Sequence, residues 1–385
     1  MRLMFRHSSA WLPVYCRLLC RWRKWPKTFV ILLLLFPTVM IGWTFKDSNI
    51  FDRFDLFHHV PDKYIGSYFK YCNGLANQMY RYASLYAIGK QIGREPYIDS
   101  TLECTSLILP ELSASMPDFF KRLYIFPTPN SQVKRVDFAK NCCKYDNVSK
   151  LVGLHPGAKF MKVNSNLLQS FKFFHHEKQN LRRIFDFNDN VKNYVHTFAN
   201  QLFGNSSHHK LCVHTRLGDF EEHDYLLASK HSFVNPAIEF VGKELLKNYT
   251  KLSIVLLGTD KKFIEGVDVP RDVFVNNFQP MDLSRTEELY FGATYCNSYL
   301  ITASGSTFAW WMAYLMNEEA QNRIFYNYLT SRHKKFGKDI YDFDSFPQEW
   351  KRLRLFNVNK IGYEPRWHKD IKDDRISVIL HRRRR

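Results

Sequence analysis

The chain has 385 residues, of which 45% are apolar, 16% aromatic and 24% charged. This composition excludes a disordered chain and the collagen-like and low-complexity classes. The net charge of +18 does not indicate nucleic acid binding, because the excess of basic residues lies at the two ends of the chain. Residues 1–27 carry seven Lys and Arg and no acid, residues 351–385 have a net charge of +8, and the residues between them carry +3. A nucleic acid-binding protein concentrates its basic residues on the folded domain.

An uncharged run of 18 residues, 28–45, follows the basic N-terminal segment. As a helix it would be about 27 Å long, close to the thickness of the hydrocarbon core of a bilayer. The basic residues before it predict a cytosolic N terminus by the positive-inside rule. We therefore expect a cytosolic tail over 1–27, a transmembrane anchor over 28–45 and a lumenal body, in a single-pass type II protein of the Golgi membrane. A cleaved signal peptide is the alternative for the run, and residence in the endoplasmic reticulum stays open.

The expected lumenal body carries secretory-pathway signals. Three sequons, at Asn147, Asn205 and Asn248, predict N-glycosylation. Six cysteines follow the anchor, and an even count in an oxidising compartment predicts disulfides, with the pairing left open. Cys212 lies in an apolar segment, so a buried free thiol is the alternative there. No Cys and His spacing typical of a structural zinc site occurs.

The first half of the body contains few clear elements. Residues 46–69 look like a stem. Apolar residues that recur three and four apart predict a helix that begins after Gly74 and ends at Gly93, with a strand directly after it. Residues 100–150 are mixed, and residues 174–185 have the pattern of a further helix.

The second half alternates strands and helices. Asn235 is expected to cap a helix with Pro236 at its first position, and Ser284 and Glu287 form a capping box for another. Such alternation predicts an α/β fold with a mostly parallel sheet, which binds ligands at the carboxyl ends of its strands. The predicted strands are 210–215, 252–257, 272–275 and 298–303, and the last helix is 308–316.

The first of these strands ends in the segment His214-Thr-Arg-Leu-Gly-Asp219. Arg216 at a strand end can form bidentate hydrogen bonds to a phosphate. Gly218 lets the backbone turn away sharply, and Asp219 adds a carboxylate beside the anion. A turn with solvated charges is the alternative, and we favour the functional interpretation.

Two more strand ends carry candidate ligands. Ser304, Gly305, Ser306 and Thr307 stand between the last strand and helix, where free backbone N–H groups and the helix dipole favour an anion. A plain N-cap would need only one of these residues. Asp260 follows the 252–257 strand and is predicted to contact a ribose or base, with an ordinary turn as the alternative.

Four segments in the same order resemble the α-1,2-fucosyltransferases of glycosyltransferase family 11. His214-Thr-Arg-Leu-Gly-Asp219 is similar to the family's His-x-Arg-Arg-Gly-Asp motif. The remaining segments resemble its opening, its Gln-Ser-x-Lys-Tyr-Phe segment and its C-terminal Trp-Trp block, and together the four cover roughly residues 70–330. They are Asn73-Gly-Leu-Ala-Asn-Gln-Met-Tyr-Arg-Tyr-Ala83, Leu168-Gln-Ser-Phe-Lys-Phe-Phe174 and Ile301-Thr-Ala-Ser-Gly-Ser-Thr-Phe-Ala-Trp-Trp-Met-Ala-Tyr314.

The resemblance implies a GT-B-type α/β fold of two facing Rossmann-like domains after the transmembrane helix. We assign residues 70–205 to an acceptor-side domain, 206–350 to a GDP-fucose-binding domain and 351–385 to a basic C-terminal tail. The resemblance further implies GDP-fucose as the donor substrate, a glycan acceptor, inversion at the anomeric carbon, and neither a metal nor another cofactor. The oligomeric state is left open.

The resemblance also implies roles for individual residues. Arg216 would contact the donor diphosphate, with Ser306 and Thr307 beside it. Asn77 and Gln78 would lie near the sugar or the acceptor. A carboxylate or histidine must deprotonate the acceptor hydroxyl. Asp219 is the first candidate for this base, followed by Asp224 and His214.

The chain departs from the family pattern at two positions. Leu217 replaces the second Arg of the motif, and Ala76 replaces a Gly. These changes keep two alternatives open: a sugar-binding member of the same fold without turnover, and a fucosyltransferase of another linkage or one that acts on protein. Asp342-Phe-Asp344 matches an Asp-x-Asp metal pattern, but without a preceding apolar strand we expect a solvated loop there.

Overall fold

The computed structural model describes residues 62–68, 74–101, 110–122, 124–165, 167–223, 225–331, 341–357 and 360–366. These residues belong to one compact unit, Pro61–Arg385. The predicted anchor over 28–45, most of the stem, Asp224 and the end of the basic tail lie outside the described residues. Within the described part of the chain, no helix is both long and apolar enough to cross a membrane.

A five-stranded parallel sheet forms first along the chain, in the order β3-β2-β1-β5-β4. Helix α1 (Leu75–Ile92) connects β1 to β2 and ends at Gly93, whose φ of 68° is the left-handed conformation that closes helices. The predicted helix and the strand after it are confirmed. The strands are β1 (Tyr64–Ser67), β2 (Glu95–Asp99), β3 (Tyr124–Phe126), β4 (Val133–Val136) and β5 (Phe160–Val163).

A seven-stranded sheet follows, in the order β12-β11-β10-β9-β6-β7-β8. Its strands are parallel except β12, which runs antiparallel to β11. The α/β class with mostly parallel sheets is thereby confirmed. The segment assigned to a basic tail begins with two strands of this sheet. The strands are β6 (His209–His214), β7 (Leu252–Leu257), β8 (Asn276–Phe278), β9 (Ser298–Ile301), β10 (Ile324–Asn327), β11 (Lys351–Asn357) and β12 (Lys360–Tyr363).

Helices cover the parallel strands of both sheets. The capping box of Ser284 and Glu287 is confirmed at the start of α8. The helices that follow α1 are α2 (Pro117–Lys121), α3 (Lys178–Ile184), α4 (Asp189–Phe203), α5 (Asp219–Glu222), α6 (His231–Leu246), α7 (Lys261–Glu265), α8 (Arg285–Tyr295), α9 (Thr307–Leu315) and α10 (Asp342–Ser345).

Two predicted boundaries in the second half are wrong. Helix α6 begins at His231 and not at Pro236, so both Asn235 and Pro236 lie inside it. The earlier start is stabilised by His231, whose ring stacks on Phe263 at 3.9 Å. The predicted strand 272–275 contains a turn, because Val273 and its neighbour both donate backbone hydrogen bonds to the carbonyl of Pro270. Val273 and Phe274 are buried all the same, whereas Val275 is exposed.

An aromatic cluster joins α1 to α9. Tyr80 of α1 lies 4.7 Å from Trp310 and 5.3 Å from Trp311 of α9, measured between ring centroids. Phe174 stacks on Trp311 at 5.4 Å. Aromatic pairs of this kind contribute about 1 kcal/mol each beyond their buried area. The cluster therefore fixes the N-terminal half of α1 against α9.

Two disulfides lie in the described residues. Cys212 of β6 is bonded to Cys296, directly before β9, so the buried free thiol considered for Cys212 is wrong. Cys142 and Cys143, which are adjacent in the chain, are bonded to each other in the segment between β4 and β5. Cys72 and Cys104 lie outside the described residues.

The Asp-x-Asp segment is not a solvated loop. Asp342 accepts a hydrogen bond from the Tyr326 hydroxyl at 2.8 Å and forms ion pairs with Arg352 and Arg366. Asp344 pairs with Lys172 at 2.6 Å. Both aspartates are buried in α10. Because each carboxylate already faces a cation, the pair ties the C-terminal segment to the body of the fold.

Candidate functional site

A cavity of about 430 Å³ opens at the carboxyl ends of β6, β7, β9 and β10, a size within the range of small-molecule sites. Two walls enclose it. The neutral wall consists of Gly74–Asn77, Cys142, Cys143, Leu167 and Gln169. The charged wall consists of the other lining residues, which begin at His214 and include Arg216, Asp219, Arg285 and Glu288. Among the described residues, every charged side chain that lines the cavity belongs to the charged wall.

Backbone hydrogen bonds fix Arg216 at the end of β6. Its N–H donates to the Ser229 hydroxyl at 2.9 Å, and its carbonyl accepts from the Ser229 N–H at 2.9 Å. The Ser229 hydroxyl lies 2.6 Å from that of Thr302, which donates to the His214 carbonyl at 2.7 Å. The strand end is therefore held by a closed set of hydrogen bonds from two neighbouring segments.

The Arg216 side chain reaches the cavity beside Asp219. Its guanidinium lies 2.8 Å from the Asp219 carboxylate and 5.5 Å from the centre of the Phe220 ring. Gly218 has a φ of 60°, which confirms the sharp turn predicted after the motif. A guanidinium with one weakly held partner at a cavity wall can bind a phosphate in two hydrogen bonds.

His214 lines the cavity but is nearly inaccessible to solvent. Its Nδ1 atom is buried and has no hydrogen-bond partner among the described residues. Burial, together with the nearby Arg216, lowers the pKa of His214 to about 3. The imidazole is therefore neutral near pH 7 and a weak base.

Glu288, on α8, is a lining residue that the sequence did not reveal. Its side chain is buried, one carboxylate oxygen has no partner among the described residues, and the backbone N–H of Gly258 donates to the carboxylate. Burial raises the pKa of Glu288 to about 7, although the Gly258 N–H and Arg216 act in the opposite direction. Gly258 has a φ of 135°, and a Cβ there would meet the Thr215 hydroxyl at 2.4 Å. Only glycine fits where β6 and β7 approach this closely.

The first turn of α9 provides the predicted anion-binding segment. Gly305, Ser306 and Thr307 line the cavity, and the Ser306 hydroxyl caps the helix by accepting from the Ala309 N–H at 3.3 Å. Ser304 donates to the carbonyl of Asn327 at 2.6 Å and lines a smaller adjoining cavity. Ser304 is thus engaged in structure, whereas its three successors face the larger cavity.

Of the residues predicted to contact the acceptor or the ribose, one lines the cavity and two do not. Asn77 lines the cavity, and its Oδ1 atom accepts a hydrogen bond from Gln169. Gln78 is buried in α1 and does not line the cavity. Asp260 caps α7 by accepting from the Phe263 N–H at 2.7 Å, as the turn alternative expects, and it does not line the cavity either. The roles of all predicted site residues stay predictions.

The two departures from the family motif take different positions. Leu217 packs against the buried apolar cluster of the seven-stranded sheet and is not a lining residue. Ala76 is buried in the first turn of α1 and lines the neutral wall. Asn147, Asn205 and Asn248 of the sequons are all exposed.

Five residues at or near the site carried no assignment from sequence. Gln169 lies in a segment that resembles the family, and the adjacency of Cys142 and Cys143 was visible, but neither feature states a role. Ser229 and Glu288 gave no signal, because a serine before a helix and a glutamate in a first helical turn are ordinary features of sequences.

The chain is similar to known proteins in sequence and in structure. The model of glycosyl transferase family 11 matches residues 53–354. Two galactoside 2-alpha-L-fucosyltransferases of Caenorhabditis elegans are similar in sequence. One is 24% identical over 75% of this chain and 76% of its own length. The other is 25% identical over 74% of this chain and 78% of its own length. Among solved structures, the fucosyltransferase NodZ from Bradyrhizobium is similar with a TM-score of 0.42 and 13% identity, over 67% of this chain and 93% of NodZ.

Proposed function

Because this chain belongs to glycosyl transferase family 11 and is a glycosyltransferase, we propose that it transfers L-fucose from GDP-fucose to a galactose 2-hydroxyl on a glycan. The donor follows from the sequence motifs, and the linkage follows from the motifs and from the names of the two nematode relatives. The observation that carries the proposal is that the charged lining side chains all belong to the charged wall, whereas the neutral wall has none. A diphosphate needs cations and a helix N terminus, which the charged wall provides, and a neutral sugar acceptor needs the uncharged donors and acceptors of the opposite wall.

In the proposed reaction, Arg216 and the first turn of α9 hold the diphosphate. The bond from fucose C1 to the phosphate oxygen breaks, and its electron pair leaves with GDP. The acceptor oxygen bonds to C1 from the opposite face, which inverts the anomeric centre. Arg216 stabilises the charge that develops on the leaving diphosphate, the kind of preorganised electrostatic contact that usually contributes most to catalysis.

The acceptor proton goes to a carboxylate. Asp219 is our candidate, since it stands at the cavity with half of its side chain exposed. Its partner in the structure is Arg216, so a diphosphate that takes over the guanidinium would release this carboxylate. The low pKa of His214 argues against the imidazole as the base. Asp224, the other candidate, lies outside the described residues.

The experiment that tests the function is a transfer assay. The full-length chain, expressed in a eukaryotic secretory pathway and purified in detergent, is given GDP-fucose and lactose in EDTA, and the product linkage is determined by NMR. We expect α-1,2-fucosyllactose, without added metal, and its loss in Arg216→Ala. Donor binding without transfer to any glycan would favour the sugar-binding alternative. Transfer to another hydroxyl or to protein would favour the second alternative.

We also propose the wider organisation that the sequence indicates: a GT-B-type arrangement of two domains over 70–205 and 206–350, and a type II anchor over 28–45 in the Golgi membrane. Protease protection of the body in sealed microsomes, with three glycosidase-sensitive chains at Asn147, Asn205 and Asn248, is the expected result. Digestion of the body in intact microsomes would contradict the topology.

A further inference from the structure

The disulfide between Cys142 and Cys143 has no evident role in stability. A disulfide stabilises a fold mainly by restricting the unfolded chain, and the effect grows with the length of the loop that it closes. Cys212 and Cys296 are 84 residues apart and join two regions of the seven-stranded sheet, whereas Cys142 and Cys143 are neighbours. The second disulfide therefore restricts almost nothing beyond its own peptide unit. It is also the one of the two that borders the cavity.

The segment that carries this disulfide is held firmly in place. The N–H of Gln169 donates to the Cys142 carbonyl at 2.9 Å, and the Cys143 sulfur lies 3.5 Å from the Gln169 side-chain oxygen. Two residues on, the N–H of Tyr145 donates to the Asp344 carboxylate at 2.9 Å. Cys143 is buried apart from its cavity side, and Cys142 is half-buried. The two sulfurs thus form a fixed part of the neutral wall.

The chemistry of this surface selects its ligand. Oxidised sulfurs have no proton to donate, carry no charge and are polarisable, so they offer an apolar contact. The side-chain amides of Asn77 and Gln169 stand next to them and can both donate and accept hydrogen bonds. A pyranose ring has the matching pattern, with C–H groups on one face and hydroxyls around its edge. A phosphate or carboxylate would find no cation on this wall.

We propose that the Cys142–Cys143 disulfide is the floor of the acceptor subsite, on which the C–H face of a neutral hexopyranose packs while its hydroxyls bond to Asn77 and Gln169. This subsite rests on the proposed function, because it assumes that the opposite wall holds the donor. It adds a specificity role to a feature that the transfer chemistry itself does not require.

The test compares the wild-type chain with the double variant Cys142→Ala/Cys143→Ala, using lactose as the acceptor and GDP-fucose as the donor. We expect the KM for lactose to rise about tenfold, as loss of one favourable contact of this kind implies. The KM for GDP-fucose and the rate of GDP-fucose hydrolysis in the absence of lactose should not change. A disulfide with a purely structural role would shift both KM values or neither.

A chemical version of the experiment covers the case in which the variant does not fold. Mild reduction of the wild-type protein followed by iodoacetamide should label Cys142 and Cys143 in preference to the Cys212–Cys296 pair, because Cys142 is only half-buried at the cavity whereas Cys212 and Cys296 are both buried. The labelled protein should show the same selective loss of lactose affinity, and bound lactose should slow the labelling. An unchanged KM for lactose, or a change in the KM for GDP-fucose instead, would overturn the subsite. A wild-type protein that transfers fucose to no glycan would overturn the proposed function itself, and the subsite with it.

Discussion

The two walls of the cavity are built in different ways. The charged wall is made of strand ends and helix starts, and the backbone of its key residue, Arg216, is fixed by hydrogen bonds to the hydroxyl and from the N–H of Ser229. The neutral wall is made of the start of α1 and irregular segments, and its polar groups hold each other through the pair of Gln169 and Asn77. Strand ends place charges with little freedom, as stabilisation of a leaving diphosphate requires. Irregular segments change easily between relatives, which suits the side that recognises an acceptor.

The strongest test of this contrast removes the central cation. Arg216→Ala should lower kcat/KM for GDP-fucose about 100- to 1,000-fold, because an electrostatic contact that strengthens as the charge develops is lost. Arg285→Ala is the matched control, since Arg285 lines the same wall but donates two hydrogen bonds to the Glu111 carboxylate, whereas Arg216 has one contact with Asp219. Initial rates at varied donor concentration measure both. Equal losses in the two variants would mean that the wall acts only through its total charge.

The second test concerns the buried acid of the charged wall. Burial raises the pKa of Glu288 from 4.5 to about 7. Between these two pH values, the native protein keeps a proton on Glu288 that the unfolded chain has already released. The free energy of unfolding should therefore fall as pH rises through this window, by about 3 kcal/mol in total. Glu288→Gln has no such proton to lose, so its stability should vary less between pH 4.5 and 8 and should exceed that of the wild type at pH 8.

Urea unfolding at several pH values between 4.5 and 8 measures this slope. Glu287→Gln is the control, because a glutamine keeps the capping box with Ser284 and should retain the wild-type pH dependence. A variant at position 288 with the wild-type slope would show that Glu288 stays ionised in the native protein.

The contrast between the walls also explains which parts could be predicted from sequence. The regular alternation of apolar strands and capped helices gave the α/β class, and His214, Arg216 and Ser306 stood where strands end, so topology brought them together. Asp260 also follows a strand, so the same rule predicts a ligand-binding role for it, but its carboxylate caps α7. Sequence position cannot decide between a capping and a ligand-binding aspartate, because both follow a strand directly.

The arrangement of the neutral wall could not be predicted for a different reason. The place of Cys142, Gln169 and Asn77 on one surface depends on contacts between segments that are distant in the chain, with no periodicity to indicate them. The sequence predicts that α6 starts at Pro236 after a cap by Asn235, because Pro is favoured at the first helical position. Contact of His231 with Phe263, in α7, extends the helix instead.

The third test loosens the charged wall without removing a charge. Ser229→Ala deletes the hydroxyl that accepts the Arg216 N–H and meets Thr302, so kcat/KM for GDP-fucose should fall about tenfold, the effect of one buried hydrogen bond of about 1.4 kcal/mol. Ser253→Ala removes a buried hydroxyl at the opposite end of β7, where it bonds to His208. The control should lose comparable stability and keep its activity. Loss of activity in both variants would assign the effect to stability alone.

The smallest expected effect comes from adding a charge to the neutral wall. Asn77→Asp keeps the side-chain shape and still accepts the hydrogen bond from Gln169, but it places a negative charge in the cavity that holds the proposed diphosphate. The KM for GDP-fucose should rise about threefold at low salt. At about 0.5 M NaCl, which screens charges across the site, the KM should return toward the wild-type value. Asn297→Asp makes the same change just before β9, at the end of the sheet away from the cavity, and should leave the KM unaltered. A salt-independent rise at position 77 would instead point to a direct contact of Asn77 with the donor, and the division of the cavity into a donor wall and an acceptor wall would then be wrong at this residue.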